Sequence, residues 1–164
     1  MAKEKAQKTN AMRILDRAGV AYRVNRYDCD EFIDGVHIAD MLSQPYDRTF
    51  KTLVATGKSG AYYVFVIPVA ETLDLKKAAK AVGEKSVELL HVKDIRAVTG
   101  YIRGGCTPIG MKKQYPTVIH TSALNFDELI LSGGCLGAQI FLAPEDLIRV
   151  TGAKTEDLLM EKTE

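Results

Sequence analysis

Phe50-Lys51-Thr52-Leu53-Val54-Ala55-Thr56 reads as a β-strand. Side chains alternate along an extended chain, so Phe50, Thr52 and Val54 fall on one face and Lys51 and Leu53 on the other. A lysine therefore shares a face with an aliphatic residue. Two readings stand for it. Lys51 snorkels to solvent past its own stem, or its ammonium sits in a pocket where it binds an anion or polarises a carbonyl. Two glycine-rich turns lie far downstream, at Gly104-Gly105 and Gly133-Gly134. Glycine lets backbone N–H groups converge on a ligand. A lysine with backbone donors suits an acyl or phosphoryl substrate.

Working outward, Tyr62 to Val69 is a continuous apolar run that belongs inside a sheet. Upstream, Asn10 is positioned to cap a helix to about Ala18, with Met12, Leu15 and Ala18 on its apolar side and Gly19 as its stop. Ala21 to Tyr27 alternates as a first strand. The acidic Asp28-Cys29-Asp30-Glu31 leads into a helix over 35–42. Downstream, Glu71 to Asp74 opens a helix through Val82 that ends at Gly83. Its Lys76, Lys77 and Lys80 form either a solvated face or a phosphate-facing patch. A short strand over 86–90 and a short helix over 94–99 follow. Strands are expected at 117–121, 129–132 and 139–143, then a helix from Pro144 to Val150 with Glu145 and Asp146 near its positive end. The charged tail from Lys154 suggests a short terminal helix. This order lacks a regular βαβ repeat. It predicts an α+β fold, a curled mixed sheet or small barrel flanked by helices.

A chain of 164 residues fits one domain, here 9–164, after a frayed basic segment 1–8. The composition is 46% hydrophobic and 26% charged with a formal charge of +1. That does not announce a nucleic-acid binder, although local patches do the steering. Cys29, Cys106 and Cys135 have no metal-ligand spacing, and their odd number argues against a closed disulfide framework. There is no apolar signal core and no membrane-length run, which suggests a cytoplasmic protein.

From Thr99 to Gly110, four glycines and Pro108 fall within twelve positions, which marks a shaped loop. Its lysine and hydroxyl spacing is wrong for a P-loop. Ser132 beside Gly133 binds ligand or shapes a turn, and no Gly-x-Ser-x-Gly elbow surrounds it. Tyr27 is a candidate hydroxyl partner and Thr52 an ordinary sheet residue. His37, His91 and His120 are scattered. None has an evident relation to a cysteine, so no activated thiol is expected.

Phe50-Lys51-Thr52-Leu53, Leu75-Lys76-Lys77-Ala78-Ala79-Lys80, Thr99-Gly100-Tyr101, Gly104-Gly105, Thr107-Pro108-Ile109-Gly110 and Ser132-Gly133-Gly134 occur together in one order. With these motifs the sequence resembles the YbaK family of aminoacyl-tRNA deacylases, nearest its cysteinyl-tRNA(Pro) branch, over nearly the whole chain. The resemblance implies a fold related to the editing domain inserted in bacterial prolyl-tRNA synthetase. It implies hydrolysis of mischarged tRNA and a transient complex with prolyl-tRNA synthetase; no His-x-x-x-His or paired Cys-x-x-Cys occurs, so no metal or other cofactor is expected. The family's essential lysine maps to Lys51. Its substrate-binding positions map to Tyr27, Thr52, the loop Gly104-Gly105 to Pro108, and Ser132. Cys106 stands where relatives often carry another small residue, and Cys29 where a histidine is common. In this branch the substrate's own thiol attacks the ester. The alternatives are alanyl-tRNA(Pro) hydrolysis by water, and a noncatalytic tRNA- or synthetase-binding module.

Overall fold

The computed structural model describes residues 8–161. The frayed segment expected over 1–8 lies outside the described residues, apart from Lys8, which pairs with Asp16.

β2 (Phe50–Gly57) and β3 (Tyr62–Pro68) are the antiparallel centre of a five-stranded sheet, with Lys51 opposite Ile67 and Thr52 opposite Val66. β4 (Val87–Leu89) adds antiparallel to β2. On the other side, β5 (Thr117–His120) lies parallel to β3 and β8 (Lys154–Glu156) parallel to β5. A second, antiparallel sheet runs in the order β1 (Arg23–Arg26), β7 (Ala138–Leu142), β6 (Leu129–Ser132). The sheets are stitched at one place, a parallel bridge between Thr49 and Ile130, where the Ile130 N–H donates to the Arg48 carbonyl at 3.0 Å. The arrangement is the mixed, curled α+β sheet that the strand pattern predicts.

Among the described residues five α-helices cover it: α1 (Asn10–Arg17), α2 (Gly35–Met41), α3 (Leu75–Val82), α4 (Ile95–Thr99) and α5 (Pro144–Thr151). Two cores result. Phe50, Val64, Val66 and Ile119 meet the small sheet's Leu131 and Ile140 under Met12 and Leu15 of α1. Phe65, Ile67 and Val118 meet Ala78 and Ala79 of α3 on the opposite face. β3 is thus buried on both sides, which is why its sequence is an unbroken apolar run. Each fully buried Phe, Ile or Leu contributes roughly 1.5–3 kcal/mol.

Two local expectations are corrected. Thr9, not Asn10, caps α1, accepting from the Met12 N–H at 3.2 Å, and frees Asn10 for a longer-range bond. The tail is a strand rather than a helix. Gly152 ends α5 in the left-handed region, and β8 then pairs with the open edge of β5. Leu158 plugs the second core completely. Pairing an otherwise bare sheet edge outweighs the weak helical preference of so short a charged segment. One of the α3 lysines serves this tail: Lys77 Nζ donates to Asp157 at 2.8 Å and to the Leu159 carbonyl at 2.7 Å. Lys76 and Lys80 are exposed. No helix among the described residues is long and apolar enough to cross a membrane.

Candidate functional site

Beyond the Thr49–Ile130 bridge β2 and β6 make no ladder, and a cleft of about 580 Å³ lies between them. Tyr27, Lys51, Thr52, Gly104, Cys106 and Ser132 line it, so six of the eight sequence-derived site residues share one wall system. Gly105 and Pro108 do not line it; both are buried behind it. The Gly105 N–H already donates to the Ile102 carbonyl at 2.9 Å. It is therefore not a donor for a ligand. Among the described residues, the Gly104 N–H has no acceptor.

The two glycine turns meet. A Cβ on Gly105 would lie 2.8 Å from Cys135 Cα, so only glycine allows this approach. The start of α1 ties both turns down. Thr9 Oγ1 donates to the Gly133 carbonyl at 2.5 Å, and Asn10 Nδ2 to the Gly110 carbonyl at 2.8 Å. Tyr101 braces the first turn from inside, its hydroxyl donating to the Ile109 carbonyl at 2.6 Å. Gly137, at φ 79°, passes so close to the Tyr27 carbonyl that a Cβ would sit 2.6 Å from it.

Lys51 is half-buried on the β2 face shared with Leu53. Desolvation pulls its ammonium below the usual lysine range, and the carboxylates of Asp34 and Glu71 partly oppose this. No side chain among the described residues takes a hydrogen bond or ion pair from Lys51 Nζ. Asp34 is held below the usual carboxylate range by bonds from the His37 backbone and ring, the ring contact being 2.6 Å. A second cleft bounded by Leu73, Leu75 and Met160 shares Lys51, Leu53 and Leu89 with the first.

The neutral groups are equally defined. Burial pushes the Cys106 thiol up to about 11, so it stays protonated at neutral pH despite a bond to Thr99. Burial also raises the Tyr27 phenol. Thr52 Oγ1 is buried without a partner. Ser132 Oγ accepts from the Gly134 N–H at 3.2 Å and so also shapes its turn. Cys29 donates to the Glu31 carbonyl, away from the cleft. None of the histidines lines the cleft. His120 is buried, its Nδ1 accepting from the Leu158 N–H at 3.1 Å. Among the described residues, no cluster of three or more His, Cys, Asp or Glu is placed to hold a metal.

Phe32, Asp34, Arg103 and Gln139 are among the lining residues not singled out from sequence. Gln139 is 4% exposed and exchanges two amide bonds with Gln44, at 2.8 and 2.9 Å, while Asn25 donates to its carbonyl oxygen at 3.2 Å. A glutamine inside an apolar strand is a readable signal. Phe32 and Arg103 stack at 3.8 Å, which no local pattern announces. The set offers two cations, Lys51 and Arg103, and a backbone donor at Gly104, while the Cys106 thiol is held protonated. It is able to stabilise an oxyanion.

A family model for the aminoacyl-tRNA editing domain matches residues 36–150. An Enterococcus faecalis protein, provisionally named as the Cys-tRNA(Pro)/Cys-tRNA(Cys) deacylase EbsC, is 46% identical over 160 residues, covering 96% of this chain and 98% of its own length. A solved structure given the provisional title of a trans-editing enzyme for prolyl-tRNA synthetase superposes with a TM-score of 0.81 at 25% identity, over 95% of this chain and 100% of its own. A hypothetical protein of solved structure shares the fold at a TM-score of 0.84 and 22% identity, over 92% of this chain and 99% of its own.

Proposed function

This chain belongs to the aminoacyl-tRNA editing domain family, and on that premise we propose that it releases cysteine from mischarged Cys-tRNA(Pro) in trans. The observation that carries the proposal is Lys51: half-buried, with no ion-pair partner among the described residues, in a cleft where the Cys106 thiol is held protonated. Such a cleft stabilises charge without activating an attacker of its own, which fits a substrate that brings its own nucleophile.

The aminoacyl ester enters with its carbonyl oxygen toward Lys51 Nζ and the Gly104 N–H. Both groups stabilise the negative charge that grows on that oxygen, and an ammonium in a partly desolvated site does so more strongly than in water. The cysteinyl sulfur attacks the ester carbonyl carbon. The S–C bond forms, the bond to the ribose oxygen breaks, and the thiol proton ends on that oxygen as the ribose hydroxyl. Water then opens the resulting thiolactone to cysteine. Holding sulfur and carbonyl in one conformation supplies by proximity what a missing general base would otherwise provide. Thr52, Tyr27 and Ser132 are assigned to substrate positioning, and Cys106 to the wall of the side-chain pocket. With a formal charge of +1 the chain has little general attraction for tRNA, so a transient complex with prolyl-tRNA synthetase belongs to the same proposal.

The test compares Cys-, Ser- and Ala-tRNA(Pro) at equal concentration, with and without the synthetase. Rapid cysteine release and much slower serine release are expected, since the two side chains differ little in size and much in nucleophilicity. Equal rates for cysteine and serine would reject thiol assistance. A preference for alanine would move the assignment to water-mediated alanine editing. tRNA binding without any release would favour a binding module.

A further inference from the structure

Phe32 and Arg103 come from different loops, the acidic segment before α2 and the glycine loop after α4, yet they meet at the same cleft as Lys51. The Arg103 guanidinium lies over the Phe32 ring at 3.8 Å from its centroid. Phe32 is 41% exposed and belongs to neither core. Gly104 makes the meeting geometrically feasible. It turns at φ 87°, and a Cβ there would lie 2.8 Å from Leu136 Cδ2 and 3.2 Å from the Phe32 ring.

The arginine is also unspent. Its partner loop carries Asp28, Asp30, Glu31 and Asp34, yet among the described residues Arg103 forms no ion pair with any of them. The other two arginine–phenylalanine stacks differ. Arg23 over Phe141 is bound to Glu128 at 2.7 Å, and Arg48 is 5.8 Å from the Phe126 centroid; neither pair lines the cleft. A planar cation on an exposed aromatic ring, with free N–H groups around its edge, is the surface on which an unpaired nucleobase stacks while its phosphate takes the edge donors.

We propose, taking the deacylase reading as given, that the Phe32–Arg103 stack seats the 3′-terminal adenine of the aminoacyl-tRNA, and that the Arg103 edge binds the phosphodiester 5′ to it. The ester hangs from that nucleoside's own ribose, so a base held here and a carbonyl held at Lys51 belong to one rigid unit within a single cleft. Stacking reads no sequence, which suits an end that every tRNA shares. Phe32 and Arg103 are thus positioning residues: they determine where the ester sits and take no part in bond making.

The test uses acceptor-stem microhelices that end in adenosine or in an abasic ribose, uncharged for binding and chemically cysteinylated for turnover. Wild-type protein should bind the adenosine-ended microhelix about tenfold more tightly, the scale of one stacked base. Phe32→Ala and Arg103→Ala should each erase that preference, Phe32→Trp should keep it, and KM should rise with kcat within about twofold. The proposal is overturned if wild-type protein shows no base preference, if both alanine variants keep it, or if they turn over faster, as removal of a closing latch would give. Binding of the uncharged microhelices needs no catalysis. A lost preference in a protein that hydrolyses no ester therefore upholds the stack and sinks the deacylase reading, and the opposite pair of results does the reverse.

Discussion

Replacing Gly105 by alanine isolates what the meeting of the two glycine turns contributes. Gly105 does not occupy the left-handed region, so alanine meets no dihedral penalty. The added Cβ would lie 2.8 Å from Cys135 Cα and 3.1 Å from both its N and its C, whereas ordinary contact begins at 3.4 Å. The turns must therefore separate by about 0.6 Å, the difference between 3.4 and 2.8 Å. Neither yields freely. The far turn is pinned by Thr9 on the Gly133 carbonyl and by the Gly133 N–H on Ala138 at 2.8 Å. The near one is pinned by Asn10 on Gly110 and by the Gly105 N–H on Ile102. Overpacking of this kind costs about 1–3 kcal/mol, which for a chain of this size lowers Tm by roughly 2–4 °C per kcal/mol. Gly104 and Cys106 flank the substituted residue and line the cleft, so the shift reaches the site. A displacement of about 1 Å can cost about a hundredfold in rate, and about tenfold in kcat/KM is expected here. Single-turnover deacylation and thermal unfolding are read side by side, with Gly60→Ala as control. Gly60 has φ 93° and nothing within 4 Å of its Cβ, so that variant carries backbone strain without a collision and should lose stability only. Wild-type kcat/KM and Tm for Gly105→Ala would refute the contact argument. A lowered Tm with unchanged turnover would show that the loop's spacing does not set the site.

Three further outcomes are expected. Lys51→Ala should abolish single-turnover cysteine release in a protein whose circular dichroism is unchanged, and Lys51→Arg should also be poor because a planar fork does not replace a point ammonium; near-normal turnover of Lys51→Ala ends the assignment. Since the charged form is the useful one and burial lowers its pKa, activity should fall as pH rises through a value below the ordinary 10.5. Asp34 holds that value up, so Asp34→Asn, which still caps α2, should move the descending limb to lower pH, measured against an enzyme-free ester blank; an unmoved or higher limb would show that Lys51 is not the titrating group. The variant with Cys29, Cys106 and Cys135 all changed to serine should retain substantial deacylation, because the cleft thiol is protonated at neutral pH; complete loss in a folded variant, restored by one cysteine alone, would establish an enzyme nucleophile.

Much of this organisation is legible along the chain because it is periodic. The alternation in 50–56 assigns Phe50 to one core and Lys51 to the opposite face, and the apolar run 62–69 places β3 at the centre, buried on both sides. Asp74, Gly83 and Pro144 punctuate helices because each supplies a cap or a backbone angle at the element's own end. The misreadings occur where long-range pairing competes with local preference. The tail is helical by composition and extended by its neighbour, β5. Asn10 looks like a cap, yet its amide is spent a hundred residues away on the Gly110 carbonyl.

The candidate site divides along the same line. Lys51, Thr52, Tyr27 and Ser132 lie on or beside regular strands, so their place in the sheets is legible, although alternation sets Lys51 and Thr52 on opposite faces of β2 and does not announce that one cleft reaches both. Phe32 and Arg103 enter the cleft because two separate loop segments converge there, and a single sequence carries no measure of that convergence. The adjacent glycines show the difference at its finest. Gly104 is required by its dihedral angle and by Leu136 and Phe32, Gly105 by the backbone of Cys135, and only the first of them faces the cleft. The cleft itself follows from the seam between the sheets. One bridge at Thr49 and Ile130 brings β2 and β6 together, and beyond it no ladder consumes the space between them. Lys51 and Thr52, on opposite faces of β2, and Ser132 of β6 therefore line a gap rather than a partner strand. Among the described residues, that gap leaves the Lys51 ammonium without an ion pair and the buried Thr52 hydroxyl without a hydrogen-bond partner, because no strand of the second sheet pairs with this part of β2 to supply one.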